Sequence, residues 1–417
     1  MRLLHTSDWH LGRTFHGASL LDEQAQAVDR IVEMVSEGSI ELVVVAGDLY
    51  DRAFPPAEAV DLFGDAIDRL RSTGAAVVAI SGNHDSSIRV GVHDRILAPT
   101  GVTIRGDVSR ATEPVMLESA DGGPPVAVYP LPYLDPTLAG PILAPEPDPD
   151  ADPDPNSDVD AADAAEEGSE PDATSRHRLR HDEVTRLATD RIRADLTGRN
   201  GARSVVVAHT FVEGGVICES ERELTVGNIE HVGVDAFAGF DYVALGHLHG
   251  SQERDGPRVA YSGTPLPYSF SEEDHVKSVR VVEMATDGAL AVEVVPLGVG
   301  RSLRTIEGTL DDLLGNAELV DAEPARVRVI LTDAHLPMQA MARLRDRFPF
   351  AAELRHRPGG VEPGSIGATE RDAADRAASP LELTVRFWAE QHGTAAGAAE
   401  AELLTTALDA VNRSVER

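Results

Sequence analysis

Short apolar runs alternate with longer amphipathic segments over the first 85 residues of the chain. Apolar side chains recur at helical spacing from Leu21 to Val35 and again from Pro56 to Thr73. The runs around these segments, which end in "SDWH", "AGDLYD" and "SGNHD", are short, continuous and rich in β-branched residues. Such runs are typical of strands that are buried on both faces of a sheet. The N-terminal part therefore predicts an α/β fold in which helices cover the sheet.

The pattern breaks between residues 141 and 175, where proline, alanine and acidic residues dominate. Twelve Asp or Glu residues and no Lys or Arg fall between Glu146 and Asp172, and they carry over a third of the net charge of −33. A segment of this composition cannot bury enough apolar surface to offset its chain entropy. We predict a disordered acidic insertion, a solvated surface loop, with a regulatory or DNA-mimicking role as an unsupported alternative.

Regular patterns return with a helix from His181 to Leu196 and three further apolar strands, "RSVVVAHT", "FDYVALGHLHG" and "RVAYSG". After about residue 300, "RVRVILTD", "PMQAMARLRDRF" and "AAELRHR" predict a strand, a helix and a strand in a small α/β unit. Ser379 with Pro380 is a typical helix start, and two helices are predicted to follow it. The predicted domains are residues 1–300, 301–360 and 361–417.

Composition narrows the class of protein. The 417 residues allow two or three domains, and the hydrophobic fraction of 42% is ordinary for a soluble globular protein. The N-terminus turns polar at His5, which predicts no secretory signal, and no apolar stretch approaches the roughly 18 residues of a membrane helix. A cytoplasmic location is the simplest expectation. The single cysteine, Cys218, excludes internal disulfides and a cysteine-based zinc site. The acidic balance argues against DNA binding by a wholly basic surface.

Polar clusters follow five of the predicted strands at the points where those strands end. The clusters are Asp8 and His10; Asp48 and Asp51; Asn83, His84 and Asp85; His209; and His247 and His249. In an open α/β sheet, ligands gather at the carboxyl ends of the strands. We therefore expect five loops that are far apart in sequence to converge at one edge.

The donors in these clusters predict a centre for two metal ions. Oxygen or nitrogen donors, and no sulfur, are offered by Asp8, His10, Asp48, Asn83, His209, His247 and His249. This set is too large for one tetrahedral site, but it suits two ions about 3.5–4 Å apart that clamp the attacking and leaving oxygens of a phosphoryl displacement. Mixed imidazole and carboxylate donors favour manganese, iron or zinc over magnesium or calcium. Each motif alone also fits an ordinary turn or, for His209, a core histidine.

The ordered set D-x-H, G-D-x-x-D, G-N-H-D, H and G-H-x-H resembles the calcineurin-like metallophosphoesterases. The surrounding segments "LHTSDWHLGRTFHG", "SERELTVGNIEHV" and "VAYSGTPLPYSFSE" are similar to the SbcD branch, the nuclease subunits of bacterial SbcC–SbcD DNA repair complexes. The resemblance covers most of residues 1–300 and is less sharp beyond them. It implies a four-layer sandwich of mixed β-sheets flanked by helices, with a small α/β capping domain and a C-terminal helical tail.

The resemblance also implies a role for each residue of the clusters. One ion is held by Asp8, His10 and His249, the other by Asn83, His209 and His247, and Asp48 bridges them. His84 is not a ligand in this scheme. It acts on the scissile phosphate, a role that suits a histidine beside the metals on chemical grounds as well. We expect Asp85 to orient the His84 imidazole. Some archaeal and eukaryotic relatives carry a second histidine where this chain has Asp51, so a phosphate-facing role for Asp51 stays open.

The resemblance further implies cofactors and partners. The cofactors are two divalent ions, with Mn²⁺ favoured. The activities are 3′–5′ exonuclease on double-stranded DNA and endonuclease on single strands or hairpins. The partners are DNA, an SbcC-type coiled-coil ATPase that binds the final helices, and a second copy of the chain, giving a heterotetramer. Candidate phosphate contacts in the capping domain are Arg343, Arg345, Arg347, Arg355 and Arg357, although a solvated basic face is an equally simple interpretation.

Two other functions remain as alternatives. A small-molecule phosphodiesterase, for example one for cyclic nucleotides, shares the metal donors but has no need of residues 300–417. A non-catalytic structural subunit needs no intact ligand set, and all seven predicted ligands are present. We therefore favour the metal-dependent nuclease.

Overall fold

The computed structural model describes residues 1–120, 122–144, 179–199, 201–224 and 231–358, together with residues 397, 400 and 403–405. The chain forms two compact units, one of residues 1–331 and 337–355 and the other of residues 332–336 and 356–417. The predicted linker and nearly all of the predicted C-terminal helices lie outside the described residues. Most of the acidic insertion does too.

The strands carry the numbering used below. They are β1 (Arg2–Thr6), β2 (Thr14–Phe15), β3 (Ala18–Ser19), β4 (Leu42–Ala46), β5 (Ala76–Ile80), β6 (Val102–Arg105), β7 (Val115–Leu117), β8 (Val126–Leu131), β9 (Arg203–His209), β10 (Phe211–Val212), β11 (His231–Val232), β12 (Tyr242–Gly246), β13 (Gln252–Asp255), β14 (Val259–Tyr261), β15 (Ser278–Met284), β16 (Leu290–Pro296), β17 (Leu303–Gly308), β18 (Arg326–Leu331) and β19 (Ala351–His356). The α-helices are α1 (Leu21–Glu37), α2 (Ala57–Ser72), α3 (Ser87–Gly91), α4 (Asp94–Leu97), α5 (Pro136–Leu143), α6 (His181–Thr197), α7 (Leu310–Gly315) and α8 (Ala340–Arg347).

Two six-stranded sheets form the centre of the first unit. The first sheet has the order β16-β15-β1-β4-β5-β6, and the second has the order β13-β14-β12-β9-β8-β7. Strands β1, β4, β5 and β6 run parallel, while β15 and β16 are antiparallel additions at one edge. In the second sheet β8, β9, β12 and β14 run parallel, with antiparallel β7 and β13 at the edges. Both sheets are therefore mixed.

Alternation along the strands explains why their sequences are apolar throughout. On β4, Leu42 and Val44 face the second sheet, where they share a core with Val128 and Val207. The intervening Val43 faces the helices instead. All five residues of β4 are buried. A strand covered on both faces needs apolar residues at every position, and the sequence prediction of buried strands is confirmed.

Helices cover the outer face of each sheet. Helices α1 and α2 pack on the first sheet through residues such as Ile31 and Phe63. Helix α6 packs on the second sheet through Val184, Ala188 and Ile192. The resulting order, helix, sheet, sheet, helix, is the predicted four-layer sandwich. Among the described residues, no helix has the length and apolar character needed to cross a membrane.

One correction concerns the start of the acidic insertion. We predicted disorder from Pro141, but helix α5 continues through Pro141 to Leu143. The Leu143 side chain is buried in the core on the outer face of the second sheet. Ala139 and Leu143 of "LAGPIL" therefore still pack, and the helix ends just before the acidic run. The insertion beyond residue 144 lies outside the described residues up to residue 178.

A buried polar pair joins the two sheets. His5 on β1 hydrogen-bonds through Nε2 to the Leu245 carbonyl at 3.1 Å, so that nitrogen donates. Its Nδ1 lies 2.8 Å from the Tyr242 hydroxyl on β12. Burial, reinforced by the charge of Arg280, lowers the pKa of His5 to about 3. A neutral ring therefore accepts from Tyr242 and donates to Leu245.

A small sheet, β17-β18-β19, forms the capping part with helices α7 and α8. Its own core includes Ile306, Val327 and Leu344. The carboxylate of Glu23, on α1, accepts hydrogen bonds from Arg326 and Arg301, each at 2.7 Å. This largely buried ion group ties the capping sheet to the first helix of the sandwich.

Candidate metal centre

Five strands of the sandwich deliver their following residues to one place. Strands β1, β4 and β5 of the first sheet and β9 and β12 of the second all point their carboxyl ends toward it. The sheets touch there, because His209 Nδ1 donates to the Ala46 carbonyl at 2.9 Å across the gap. The predicted convergence of the five loops is what the structure has.

Left-handed backbone is concentrated in these loops. Asp8, His10, Asp48 and His247 have φ angles of 53°, 45°, 48° and 109°. Residues other than glycine rarely adopt positive φ, and each instance costs about 1–3 kcal/mol. Four of the seven predicted ligands carry this cost. Such strain persists where the surrounding structure fixes the chain for a purpose.

Glycines at the strand ends make room for the ligands. A Cβ at Gly47 would lie 2.3 Å from His209 Nδ1, and one at Gly82 would lie 2.1 Å from Asp48 Oδ1. A Cβ at Gly246 would come within 1.7 Å of the Ala46 carbonyl oxygen. The glycine in each of the G-D, G-N and G-H motifs is thus required by close packing at the centre.

Asp48 lies in the middle of the cluster. Its Oδ2 is 3.6 Å from His10 Nε2 and 3.4 Å from His209 Nε2. Its Oδ1 accepts a hydrogen bond of 2.9 Å from the backbone N–H of His84. One carboxylate oxygen thus faces a histidine on each side, which is the geometry expected of a carboxylate shared by two ions.

Asn83, His209 and His247 group on one side of Asp48. Asn83 Oδ1 is 2.9 Å from His209 Nε2 and 3.3 Å from His247 Nδ1. Because His209 Nδ1 donates to a carbonyl, its Nε2 carries a lone pair in the neutral ring. These three side chains therefore bring donor atoms close together, and their assignment to one ion stays a prediction.

His10 occupies the other side, next to His249. The centroids of the two rings are 5.2 Å apart. Both ring nitrogens of His10 are buried and have no hydrogen-bond partner within the described residues. A buried imidazole without a partner is costly, and a bound cation would satisfy one nitrogen. Asp8 lies nearer the opposite group, because its Oδ1 is 3.9 Å from His209 Nδ1 and accepts a hydrogen bond of 3.0 Å from the His247 backbone N–H.

Two groups of three donors are close enough to hold an ion. The first is His10, Asp48 and His84, and the second is Asp8, Asp48 and His209, with all donor atoms of a group within 4.8 Å of one another. Asp48 belongs to both. Nitrogen and oxygen donors without sulfur suit divalent transition metals. The residues present therefore fit two divalent cations that share Asp48.

Without bound ions, burial and neighbouring charges shift the pKa values of three side chains at the centre. Burial alone would raise the pKa of Asp48, but the charges of His209, His10 and His84 hold it well below its usual value. Burial likewise opposes protonation of His209, yet Asp48 raises its pKa to about 9. Burial raises the pKa of Asp8 to about 6. A proton on His209 thus balances the carboxylates, and a cation would take over that charge and release the proton.

The surroundings of His84 correct one expectation, and its role on the substrate stays a prediction. Its Nδ1 donates to the carbonyl oxygen of Asp51 at 2.9 Å, which leaves Nε2 available beside the metal donors. We expected the Asp85 carboxylate to orient this ring, and that is wrong. Asp85 accepts backbone N–H bonds from Leu49, Tyr50 and Gly82 at 2.9–3.0 Å. It joins two ligand loops together, since an Asp after a turn readily binds backbone N–H groups.

Asp51 supports the centre from outside. Its Oδ1 is 3.8 Å from His10 Nδ1 and 3.5 Å from Arg13 Nη1, while its carbonyl accepts the hydrogen bond that fixes His84.

Sequence reasoning missed Gln24, on α1. Its side-chain amide accepts a hydrogen bond from the Gly12 N–H at 3.0 Å and donates one to the His10 carbonyl at 2.7 Å. A polar residue on the apolar face of an amphipathic helix was the available signal.

The arginines predicted to contact phosphate fall into two kinds. Arg347 donates to the carbonyls of Leu313, Leu314 and Asn316 at 2.7–3.0 Å, so it caps the end of α7. Arg343 pairs with exposed Asp311 at 3.1 Å and remains 46% exposed. The remaining candidates are Arg345, which bonds the Ala351 carbonyl, Arg355, which pairs with Glu353, and Arg357, which lies in the second unit. The Arg347 side chain thus has a structural role at the end of α7.

Comparisons with known proteins agree with this geometry. The model of the calcineurin-like phosphoesterase family matches residues 1–251, and that of the Type 5 capsule protein repressor C-terminal domain matches residues 299–392. The SbcD chain of the SbcCD nuclease from Staphylococcus saprophyticus is 29% identical over 315 residues, covering 75% of this chain and 73% of that protein.

Two solved structures are more distant. TT1561 of Thermus thermophilus is 12% identical, with a TM-score of 0.37 over 70% of this chain and 98% of that one. GAP50, the anchor in the inner membrane complex of Plasmodium, is 9% identical, with a TM-score of 0.39 over 87% and 99%. Likenesses this weak bear on neither substrate nor partners.

Proposed function

The chain belongs to the calcineurin-like phosphoesterase family, and from that premise we propose that it is the nuclease subunit of an SbcC–SbcD-type complex, hydrolysing phosphodiester bonds in DNA. The observation that carries the proposal is the shared carboxylate of Asp48, which faces His10 on one side and His209 on the other. Two-ion centres of this kind suit in-line phosphoryl displacement.

We assign the ligands as the sequence predicts. Asp8, His10 and His249 hold one ion, Asn83, His209 and His247 hold the other, and Asp48 bridges. When bound, two divalent cations supply Lewis-acid chemistry and an activated water near neutral pH. The protein keeps the ligand rings in one orientation, because His209 is fixed through Nδ1 to the Ala46 carbonyl. We favour Mn²⁺ because the donors mix imidazole with carboxylate.

His84 acts on the substrate in this proposal. Its ring is held by the Asp51 carbonyl, and its centroid is 4.8 Å from that of His10 at the edge of the centre. The protonated ring can donate its Nε2 proton to the leaving sugar oxygen or to a phosphate oxygen as charge develops there. Donor atoms of His84, His10 and Asp48 also lie within 4.8 Å of one another. The experiment must therefore separate a role of His84 as a metal ligand from a role as a proton donor.

The test compares wild type, His84→Ala and His335→Ala with Mn²⁺ on a DNA hairpin, a blunt duplex and a cyclic nucleotide. His335 is exposed and serves as the matched histidine control. We expect wild type and His335→Ala to cut DNA. His84→Ala should lose activity by about 10²–10⁴-fold, as for a general acid, and should still bind two Mn²⁺ ions by calorimetry.

Other results would change the proposal in defined ways. Consumption of the cyclic nucleotide alone would replace DNA with a small substrate. Loss of an ion in His84→Ala would make His84 a ligand. Absence of all activity, even with an SbcC-type ATPase and ATP, would favour a structural subunit. The other parts of the proposal are cytoplasmic location, DNA repair and recombination, 3′–5′ polarity, and ATPase binding by the helices after Ser379.

We also propose that the chain is a homodimer, and that an apolar surface beside His84 forms the contact. Ile88 on α3, Val92 directly after α3 and Ile96 on α4 recur every fourth residue and are 82%, 63% and 72% exposed. Val92 of this ridge also lines an apolar cavity of about 840 Å³, together with α2 and β6 residues such as Phe63 and Ile104. A ridge beside a groove is self-complementary under two-fold symmetry, so a second copy is the occupant we favour.

Sedimentation equilibrium tests this contact. Wild type and Val320→Glu, a change at another exposed apolar residue, should be dimers, and Ile88→Glu combined with Ile96→Glu should be monomeric with unchanged circular dichroism. A monomeric wild type, or a dimer that survives both substitutions, would remove this surface from the proposal.

A further inference from the structure

Two sequence motifs and one residue remain without a role in the centre described so far. The motifs are "SERELTVG" and "YSGTPLPYSFSE", and the residue is Lys277, the only lysine of the chain. Both motifs and the lysine contact His249. Resting on the proposed function, we infer that Glu272, Lys277 and Ser220 form a positioning network that sets the tautomer and orientation of His249 toward its ion.

The hydrogen bonds of this network have a defined direction. Ser220 Oγ lies 2.8 Å from His249 Nδ1 and donates to Glu272 Oε1 at 2.9 Å. An ionised carboxylate only accepts hydrogen bonds. The serine proton is therefore directed to Glu272, and the serine oxygen must accept from His249 Nδ1–H. This arrangement leaves the lone pair on Nε2, the nitrogen that we assign to the ion.

Lys277 supplies the charge that keeps this arrangement in place. Its Nζ is 2.6 Å from Glu272 Oε2 and donates to the His249 carbonyl at 3.0 Å. The lysine side chain is 9% exposed and that of Glu272 is fully buried. A buried carboxylate without a partner would be expensive. The lysine thus pairs with the carboxylate and holds the backbone of the same ligand.

The His249 backbone is fixed as completely as its ring. Its N–H donates to Glu221 of the first motif. Its carbonyl also accepts from the Thr264 N–H, of the second motif, at 3.2 Å. Within the described residues Nε2 is the polar atom of His249 that forms no hydrogen bond. Partners of this kind around a metal-binding histidine typically change metal affinity by 10- to 100-fold when removed, an effect of about that size being expected here.

Glu273 provides a matched control one residue away. Its carboxylate accepts from the Thr305 N–H at 2.8 Å and from the Thr305 hydroxyl at 2.6 Å, on the capping strand β17. Glu272→Gln lets an amide N–H face Ser220, which can reverse the hydrogen-bond direction and move the proton to Nε2. Glu273→Gln makes the same chemical change without touching a ligand.

The experiment titrates Mn²⁺ into wild type, Glu272→Gln, Glu273→Gln, Lys277→Met and Lys277→Arg by calorimetry and electron paramagnetic resonance. We expect two ions and a spin-coupled spectrum for wild type and Glu273→Gln. For Glu272→Gln and Lys277→Met we expect one of the two ions to bind about 10- to 100-fold more weakly, with the spectrum of an isolated Mn²⁺. Lys277→Arg should restore part of the coupling, because it keeps the charge.

Each outcome bears on a different statement. Two ions with wild-type affinity in Glu272→Gln would overturn the inference and leave the proposed function intact. Wild type that binds no pair of ions would overturn the metal centre itself. If Glu272→Gln does not fold, as judged by circular dichroism with chelator, Ser220→Ala replaces it, with the same ion expected to weaken and unchanged binding counting against the inference.

Discussion

At the scale of single residues, backbone shape limits the centre as strongly as the choice of ligand. Asp48 adopts positive φ, and the neighbouring loop approaches it so closely that only glycine fits at residue 82. The spacing of the motifs indicated which side chains are candidates for metal binding. It could not show how tightly the loops pack, because the distance between Gly82 and Asp48 depends on the pairing of β4 with β5, which are distant in sequence.

Gly82→Ala should therefore damage the centre without changing a ligand. Its Cβ would lie 2.1 Å from Asp48 Oδ1 and 2.3 Å from the Asp48 backbone nitrogen, so the loop must move. We expect Mn²⁺ affinity to fall by at least about tenfold, as for a lost supporting contact. The control is Gly64→Ala on α2, where a Cβ meets nothing within 4 Å. Calorimetry that finds equal affinities for Gly82→Ala and wild type would count against this packing argument.

His5 makes the stability of the fold depend on pH. Its folded pKa of about 3 lies below the ordinary value of 6.5, so unfolding takes up a proton between those values. The stability from the neutral ring is present above pH 6.5 and is lost as the pH falls. The slope is up to about 1.4 kcal/mol per pH unit for one such group.

The His5→Gln variant should show a shallower pH dependence than wild type, although it is less stable near neutral pH. Urea unfolding in the presence of chelator, from about pH 7 to about pH 5, measures both slopes. Glutamine can keep bonds to Tyr242 and Leu245 but cannot take up a proton. Parallel slopes would show that His5 is protonated in the folded protein, contrary to its buried setting.

At the scale of elements, the arginines of the capping part should separate by function. Arg347→Ala leaves three carbonyls at the end of α7 without their donor, and such a loss costs about 1–3 kcal/mol of unfolding free energy. Arg343→Ala removes an exposed charge and should stay within about 0.5 kcal/mol of wild type. Urea unfolding measures the difference.

DNA binding should rank the same two variants differently. If Arg343 contacts phosphate, Arg343→Ala weakens DNA binding and makes it less dependent on salt concentration. Fluorescence anisotropy at several salt concentrations measures both. A salt dependence equal to that of wild type would place Arg343 on a solvated face, the second interpretation that the sequence allows.

The sequence predicted best those elements whose hydrophobic pattern can be recognised from their own residues alone. Strand β4 is buried on both faces and reads as an unbroken apolar run. Strands β15 and β16 were not predicted. Strand β16 has mostly exposed and half-buried residues, and β15 pairs with β1, which is far from it in sequence. The error at Pro141 has the same origin, because a proline in the second turn of a short helix looks like a stop until the packing of Leu143 is known.

At the scale of the whole molecule, the centre connects the two sheets. Candidate ligands that follow β9 and β12 meet those that follow β1, β4 and β5, and side chains such as His5 and Arg280 bridge the sheets elsewhere. Bound ions should therefore stabilise the sandwich as a unit, because they bind the folded protein and not the unfolded chain.

Chelation should lower the stability of wild type and leave an ion-free variant unaffected. One ion at about 100 times its dissociation constant contributes about 2.7 kcal/mol, so removal of Mn²⁺ should lower the thermal midpoint by several degrees. Asp48→Asn lacks the shared charge and should melt at the same temperature with and without chelator. Scanning calorimetry measures these midpoints. A wild-type midpoint that is the same with and without chelator would contradict the role of the ions in joining the sheets.

The wide separation of the ligands along the chain has a consequence for how the protein is made. His247 follows Asp8 by 239 residues, and at about 5–20 residues per second that interval takes about 10–50 s of translation. Until β12 has left the ribosome, the growing chain lacks His247 and His249, one proposed ligand of each ion. Under the proposed function, the centre should therefore be inactive until the first unit is nearly complete, and a chain that terminates before β12 should be an inert product.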